Sequence, residues 1–288
     1  MSLMRRPFAS LLAFLAIAAS VTPGAVAQEI LWDRYGVPHI RGESLEEVAW
    51  AFGWAQAQSH GSLLLRLYGQ ARGRAAEYWG QDFVESDRWV RVNRIPGRAR
   101  AWLAQAESEE RMVIERFAAG INAYAEQHPD ALDPAMRRVL PVTSEDVLAH
   151  AQRVVHFTFV ASPELVAQAQ RALRGDADGI GMDPDEADLD GARQLLGSNA
   201  WAVAPARTAD GNALLLINPH LPWGDLFTWY EAQITGGGID VYGVALVGMP
   251  TLNIAFNDRL GWSFTVNTYD GADLYSLSLR DGGYLWDG

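Results

Sequence analysis

The sequence contains no lysine and no cysteine, so all 23 of its basic residues are arginine. The absence of lysine excludes Schiff-base and pyridoxal-lysine chemistry and the phosphate-binding lysine of Walker sites. The absence of cysteine excludes thiol nucleophiles, disulfides and thiolate metal sites. Acidic residues number 35, which gives a formal net charge of −12. This balance argues against nucleic acid or anionic lipid as the main partner, because phosphate binding needs a basic surface.

Long hydrophobic runs are also absent, except at the beginning of the chain. Residues 1–27 combine two arginines, the apolar stretch Phe8–Val21 and the small residues Ala25–Ala27, a pattern typical of a cleavable export signal. A membrane anchor is the alternative, but the stretch is shorter than the ~20 residues needed to span a bilayer. We therefore predict a periplasmic or secreted protein that begins near Gln28 and has no stable membrane association.

Helical periodicity dominates the first part of the mature chain. Overall, 49% of the residues are hydrophobic and 20% are charged, which is typical of a globular protein. Ser44 and Glu47 form a capping-box pattern that is followed by an apolar helical face. Further helical patterns cover residues 63–68, 107–127, 144–157 and 163–173. We predict that 28–174 is mostly helical.

A short acidic segment, 175–197, separates this part from the rest. It contains seven acidic residues and one arginine, together with several glycines. Such a composition buries too little apolar surface to offset the entropy lost on ordering. We predict a linker here rather than part of a core.

From Ser198 onward the hydrophobic period changes to that of strands. The turn signals Asp210-Gly211 and Asn257-Asp258 lie between strand patterns. The predicted strands are 200–204, 213–217, 239–247, 253–256 and 262–266. The fold class is therefore predicted to be α+β, with Ser198 at the head of a buried strand.

The junction Gly197-Ser198 is the strongest chemical signal in the sequence. A serine that follows a glycine, between the acidic linker and a strand, indicates that the chain is cleaved at this bond. Attack of the hydroxyl on the preceding carbonyl converts the peptide to an ester, which water then opens. The freed α-amine has a reference pKa of ~7.7–8.0, so it can act as base for its own hydroxyl.

Around this junction the sequence resembles the penicillin acylase branch of the N-terminal nucleophile hydrolases. The resemblance extends over 28–288, with the motifs in the family's order and spacing. It implies a four-layer αββα fold, and a spacer 175–197 removed between an α-chain, 28–174, and a β-chain that begins at Ser198. The motifs are Asp33-Arg34-Tyr35-Gly36-Val37-Pro38-His39-Ile40, Gly197-Ser198-Asn199-Ala200-Trp201, Asn218-Pro219-His220-Leu221-Pro222-Trp223, and Trp262-Ser263-Phe264-Thr265-Val266 leading to Asp270-Gly271-Ala272-Asp273-Leu274-Tyr275.

The resemblance also implies roles for individual residues. Ser198 matches the nucleophile, with its α-amine as the base, and Val266 matches a backbone oxyanion-hole donor. His220 matches a residue beside the new amino terminus; the alternative is a histidine that only satisfies a strand end. The second oxyanion donor of the family lies farther along than Gly288, so we expect the intact protein to continue beyond this residue, with 198–288 as the first part of the β-chain.

A structural calcium ion is a further implication of the resemblance. Asp270, the carbonyl of Ala272 and Asp273 match positions of a calcium site in penicillin G acylase, and Glu164 is the candidate ligand from the helical part. Hard oxygen donors of this kind suit calcium. The alternative for Asp270–Asp273 is an ordinary turn. The chemistry itself requires no cofactor.

Other patterns point less clearly to chemistry. His60, His128, His150 and His156 lack the spacing of a helical zinc motif and are predicted to be core or surface residues. The sequence has no Gly-x-Ser-x-Gly elbow, which argues against an α/β-hydrolase.

We predict a self-processing amidohydrolase that acts on N-acylated small molecules as an α/β heterodimer formed from one precursor. Leu221, Trp223 and Phe264 are candidates for the acyl pocket; the alternative is that such side chains fill a core. Within the family that the sequence resembles, His220 and the short spacer imply long-chain acyl substrates such as acyl-homoserine lactones or lipopeptides. Removal of β-lactam side chains is the second possibility, and a noncatalytic exported binding protein is the alternative from another class.

Overall fold

The computed structural model describes residues 28–160, 197–221, 223–266, 275 and 277–286. This part of the chain is an α+β structure in which helices pack on one face of a sheet. Its α-helices are α1 (Leu45–Ala71), α2 (Ala75–Trp79), α3 (Val84–Val92), α4 (Ile95–Gln105), α5 (Ser108–Gln127) and α6 (Ser144–Val155), and α6 continues into a π-helical turn, His156–Val160.

The main sheet has six strands in the order β1-β2-β5-β6-β7-β8. Strands β3 and β4 form a separate hairpin, and β9 and β10 form another. The strands are β1 (Glu29–Trp32), β2 (Pro38–Arg41), β3 (Gly197–Val203), β4 (Leu214–His220), β5 (Trp229–Gly236), β6 (Ile239–Leu246), β7 (Ile254–Phe256), β8 (Gly261–Trp262), β9 (Leu279–Arg280) and β10 (Gly283–Tyr284).

Helix α1 begins where the capping pattern predicts. Ser44 Oγ accepts a hydrogen bond from the Glu47 N–H at 3.2 Å, whereas the Glu47 carboxylate accepts from the N–H of Glu43, one residue before the cap. The backbone leaves the helical region at His60. The pattern at 63–68 is therefore the second half of a kinked α1 and not a separate helix.

Helices α1 and α5 approach each other closely through glycines. A β-carbon on Gly53 would lie 2.1 Å from the carbonyl oxygen of Phe117, and one on Gly120 would lie 1.9 Å from that of Trp50. Neither position has room for a side chain without moving a backbone. This contact brings Phe52 and Phe117 together, with ring centroids 5.7 Å apart.

The core lies between these helices and the main sheet. Along β5 the side chains of Tyr230, Ala232 and Ile234 are buried and alternate with more exposed ones, as expected for a sheet covered on one face. The ring of Phe52 lies 6.0 Å from that of Tyr230. The buried face of β5 therefore packs on α1.

Buried polar side chains tie the helices to the chain that leaves β6. Gln56 Nε2 donates to the Met249 carbonyl at 3.0 Å, Tyr68 Oη donates to the Gly248 carbonyl at 2.8 Å, and His150 Nε2 lies 2.9 Å from the Val247 carbonyl. Gly248 has φ +90, and a β-carbon there would lie 2.9 Å from the His150 ring. Glycine is required at this position by both its conformation and its neighbour.

Strands β1 and β2 and helices α2 to α4 are not predicted by the sequence analysis. The turn between the two strands forms because Asp33 Oδ1 accepts from the N–H groups of Val37 and Tyr35; the Val37 bond lowers the pKa of Asp33. Strand β2 pairs parallel to β5, with Ile40 opposite Ile234. The mostly helical first part of the chain therefore also supplies two strands of the main sheet.

Several predicted strands are confirmed and others are wrong in extent. The patterns at 200–204, 213–217, 239–247 and 253–256 correspond to β3, β4, β6 and β7. Strand β5 was not predicted. The strand predicted at 262–266 is wrong beyond Trp262, where β8 ends.

The prediction that Ser198 begins a buried strand is also wrong. Most side chains of β3 and β4 are exposed, including Trp201 and Leu216, because no layer of the described residues covers this hairpin. It reaches the main sheet at Leu215, whose Cδ2 would lie 2.6 Å from a β-carbon on Gly261 in β8.

None of the described helices is both long and apolar enough to cross a bilayer.

Candidate active site

The hairpin of β3 and β4 carries the predicted cleavage junction at its open end. Gly197 pairs with His220, Ser198 with Pro219, and Asn199 with Asn218. The connecting loop turns at the predicted Asp210-Gly211, where Asp210 Oδ1 accepts from the Asn212 N–H at 3.2 Å. The antiparallel register thereby brings two motifs, widely separated in sequence, side by side.

Ser198 is half-buried, and its hydroxyl donates a hydrogen bond to the carbonyl oxygen of Gly197. This carbonyl belongs to the peptide bond at which cleavage is predicted. Through this hydrogen bond the hydroxyl lies beside the carbonyl group that it would attack. The residue opposite Ser198 is Pro219, which has no N–H and therefore cannot donate to the Ser198 backbone.

His220 is exposed and faces the backbone at Gly197. Its Nδ1 would lie 3.5 Å from a β-carbon on residue 197, whereas its Nε2 lies 2.6 Å from the Asn218 side-chain oxygen. Side chains alternate along a strand, so His220 lies on the same face of the hairpin as Asn199 and Asn218, and Ser198 points to the other face. The imidazole therefore neighbours the scissile peptide and not the serine hydroxyl.

Asn199 and Asn218 have no role predicted from the sequence. Asn199 Nδ2 lies 3.4 Å from Asn218 Oδ1 and 3.3 Å from His220 Nε2, so the three side chains form one polar cluster. Asn218 and His220 are two residues apart at the end of a strand pattern, and this spacing indicates that they lie on one face of the strand. Their pairing with Asn199 depends on the register, which the long loop 204–213 leaves unpredicted.

The predicted acyl-pocket residues are not assembled into a pocket by the described part of the chain. Leu221 is half-buried directly after β4, whereas Trp223 and Phe264 are exposed. Val266, the predicted oxyanion donor, is half-buried in a segment without regular structure after β8. These four assignments stay predictions.

Two apolar cavities lie in the helical layer and beside the sheet edge. One has a volume of about 500 Å³ between α4, α5 and α6 and includes Trp102. The other, of about 640 Å³, lies between α1 and β8 and includes Trp262. Both are lined in part by Pro250 and Thr251. Neither contains any residue predicted to be catalytic.

The predicted calcium ligands Asp270, Ala272, Asp273 and Glu164 lie outside the described residues, as do the export signal 1–27 and the linker up to residue 196. Within the described ranges, His, Asp and Glu side chains form no group of three or more that would hold a metal ion.

Comparison with known proteins gives a match along nearly the whole chain. The sequence profile of the family described as Penicillin amidase matches residues 27–288. The chain is 31% identical over 294 residues to the acyl-homoserine lactone acylase PvdQ of Pseudomonas putida, which covers 94% of this chain and 37% of that protein. It is 28% identical over 300 residues to the acyl-homoserine lactone acylase QuiP of Pseudomonas aeruginosa, with 88% and 35% covered.

Among solved structures, a thermostable penicillin G acylase from Alcaligenes faecalis matches with a TM-score of 0.42 and 24% sequence identity, covering 58% of this chain and 88% of that chain. The chain spans somewhat more than a third of the length of the curated relatives it matches.

Proposed function

The chain belongs to the penicillin amidase family, and we propose that the full-length protein is a self-processing amidohydrolase whose nucleophile is Ser198. The observation that carries this proposal is the hydrogen bond that the Ser198 hydroxyl donates to the carbonyl oxygen of Gly197 at the start of β3. Family membership supports an amide-hydrolysing enzyme. The hydroxyl's place beside its own peptide bond supports the route by which it becomes N-terminal.

In the proposed maturation, Ser198 Oγ attacks the Gly197 carbonyl carbon and loses its proton. The C–N bond then breaks and its nitrogen takes up a proton, which leaves an ester between Gly197 and Ser198. Water hydrolyses the ester, so Gly197 ends in a carboxylate and Ser198 carries a free amine. Gly197 has no side chain that obstructs the attack.

In the proposed reaction, the same hydroxyl attacks the amide carbonyl of the substrate while the α-amine accepts its proton. The acyl group is transferred to Ser198, the amine product leaves with a proton, and water releases the carboxylic acid. The Val266 N–H is the proposed donor to the oxyanion, where charge develops in the transition state. Leu221, Trp223 and Phe264 are the proposed contacts of the acyl group.

We propose N-acylated small molecules of the acyl-homoserine lactone type as substrates. The relatives that cover most of this chain are named acyl-homoserine lactone acylases, and this supports the assignment. The full-length protein is proposed to be a periplasmic or secreted α/β heterodimer with the four-layer αββα fold. A structural calcium ion held by Asp270, Ala272, Asp273 and Glu164 remains part of the proposal.

Self-processing is tested by the intact mass of the full-length protein with Ser198→Ala. We expect one unbroken chain and no acyl release, whereas the wild type yields two chains, the second starting Ser-Asn-Ala-Trp. Thr208→Ala is the matched control, because Thr208 also donates from a hydroxyl to a nearby carbonyl, that of Pro205, in the same hairpin. An unbroken wild-type chain would favour the noncatalytic binding protein.

The substrate class is tested by mass spectrometry of products from acyl-homoserine lactones of graded chain length, offered beside penicillins G and V. We expect the free fatty acid and homoserine lactone, with rates that depend on acyl length, since one methylene in an apolar pocket is worth about 1–3 kcal/mol. Release of 6-aminopenicillanic acid alone would assign the β-lactam acylase activity instead.

A further inference from the structure

The imidazole of His220 has two nitrogens with different surroundings. Nε2 lies in the polar cluster, 2.6 Å from Asn218 Oδ1, and Nδ1 faces the backbone of Gly197. In a neutral imidazole, one nitrogen carries the proton and the other keeps a lone pair. Which nitrogen is protonated therefore decides whether the ring presents a donor or an acceptor to Gly197.

We propose that Asn218 is a positioning residue that keeps the His220 proton on Nε2 and thereby directs the Nδ1 lone pair toward Gly197, the residue before the bond that is to be cut. This inference rests on the proposed function, because it gives the imidazole an acceptor at the bond that is to be cut. Asn218 acts only through His220.

With the Asn218 oxygen toward the ring, the short contact disfavours the other tautomer on electrostatic grounds. With the proton on Nδ1, the lone pairs of Nε2 and of the Asn218 oxygen would face each other at 2.6 Å. With the proton on Nε2, the same contact is a short N–H···O hydrogen bond. A partner on one ring nitrogen commonly sets the tautomer of histidine in this way.

The Asn199 amide group, as the structure orients it, matches an Asn218 amide whose oxygen faces the ring. Its Nδ2 lies 3.4 Å from Asn218 Oδ1, so this oxygen accepts from both Asn199 and His220. Asn199 Nδ2 and His220 Nε2 lie 3.3 Å apart. With the proton on Nε2 they are not bonded to each other, because both donate to Asn218 Oδ1. If the amide of Asn218 alone were reversed, its NH2 group would face the NH2 group of Asn199 without an acceptor between them.

The tautomer is measured directly from the ¹⁵N shifts of labelled histidine in full-length protein that carries Ser198→Ala. At pH 9, where an ordinary imidazole is neutral, we expect an Nε2–H signature for His220, which is assigned by its loss in a His220→Gln variant. A signature of Nδ1–H, or of an even mixture, would overturn the proposal. This spectrum does not depend on activity, so it stands even if self-processing fails.

Variants of Asn218 extend the test to the reaction. In Asn218→Leu we expect a mixture of tautomers and self-processing slowed by about tenfold or more, the usual size of an effect from a group that orients a histidine. Asn218→Asp keeps an acceptor oxygen and should restore the Nε2–H signature and most of the rate. Asn212→Ala, which removes another amide of the same hairpin, is the control. An unchanged tautomer in Asn218→Leu would contradict the assignment.

Discussion

At the scale of single residues, the protonation of His150 is decided by its burial. The side chain is 0% exposed and contacts the Val247 carbonyl through Nε2. Burial, together with the charge of Arg153, lowers the pKa of His150 to about 3 from its ordinary value of 6.5. The folded protein therefore binds this proton less readily than the unfolded chain does, so stability is lost as the pH falls below about 6.5 and approaches 3.

We predict that His150 contributes measurably to the decrease in the free energy of unfolding at acid pH. Between these two pKa values, the free energy of unfolding should decrease by up to about 1.4 kcal/mol per pH unit because of this group. His150→Gln removes the titrating ring but keeps a donor for the Val247 carbonyl. Urea unfolding of both proteins from pH 7 to pH 4 should show a shallower dependence in the variant; equal slopes would refute the assignment.

A second residue-scale prediction concerns the buried pair of Arg72 and Asp146. Arg72 Nε and Nη2 donate to the two carboxylate oxygens at 2.6 and 2.7 Å, and the side chains are 17% and 6% exposed. Arg72→Met leaves Asp146 buried without its cation, so unfolding should become easier by about 3–5 kcal/mol.

Arg74 provides the matched control for Arg72, because its ion pair with Glu77 is exposed. Arg74→Met should change the urea midpoint little, since exposed pairs are screened by water and salt. Equal destabilisation by the two substitutions would mean that burial does not distinguish them.

At the scale of elements, the close contact between α1 and α5 depends on the absence of side chains. In Gly120→Ala the new methyl group would meet the Trp50 carbonyl oxygen at 1.9 Å, so the helices must separate. We expect a loss of stability of about 1–3 kcal/mol, measured by thermal or urea unfolding.

Gly97→Ala is the control for this prediction. Gly97 lies within α4, where the nearest atom to a new β-carbon, Arg100 Nη2, is 4.0 Å away. Alanine at an open helical position should stabilise by up to about 1 kcal/mol. If both substitutions destabilise the protein, the close approach of α1 and α5 does not explain the loss of stability in Gly120→Ala.

Helices and strands with strong local signals were predicted well from sequence. Ser44 caps α1 as predicted, and the helix predicted at 107–127 is α5, Ser108–Gln127. Helices α3 and α4 were missed because arginines and Pro96 interrupt their apolar period, and α2, with 5 residues, is too short to show one. Strand β5 was missed because the Gly236-Gly237-Gly238 turn that joins it to β6 was not recognised as a hairpin signal.

At the scale of the whole molecule, the parts of the chain before and after the proposed cleavage site share one core. Strand β2 pairs with β5, and Gln56, Tyr68 and His150 bind the backbone after β6. Cleavage after Gly197 does not break any of these contacts. The two chains of a processed protein should therefore stay associated.

This association is measured by native mass spectrometry and gel filtration of the processed full-length protein. We expect both chains in one species in native buffer and two separate chains only after denaturation with urea. Loss of the first chain in native buffer would show that the shared sheet and core do not hold the parts together.

The sequence by itself determined the α+β class, the capped start of α1, the strands β3, β4, β6 and β7, and the position of the Gly197-Ser198 junction. These features depend on neighbours within a few residues, or on motifs whose order is visible in the chain. The tertiary structure alone decided that β2 lies beside β5, that His150 meets Val247, and that Asn199, Asn218 and His220 form one cluster. Such contacts depend on strand register and on the packing of distant segments, which local sequence patterns do not specify.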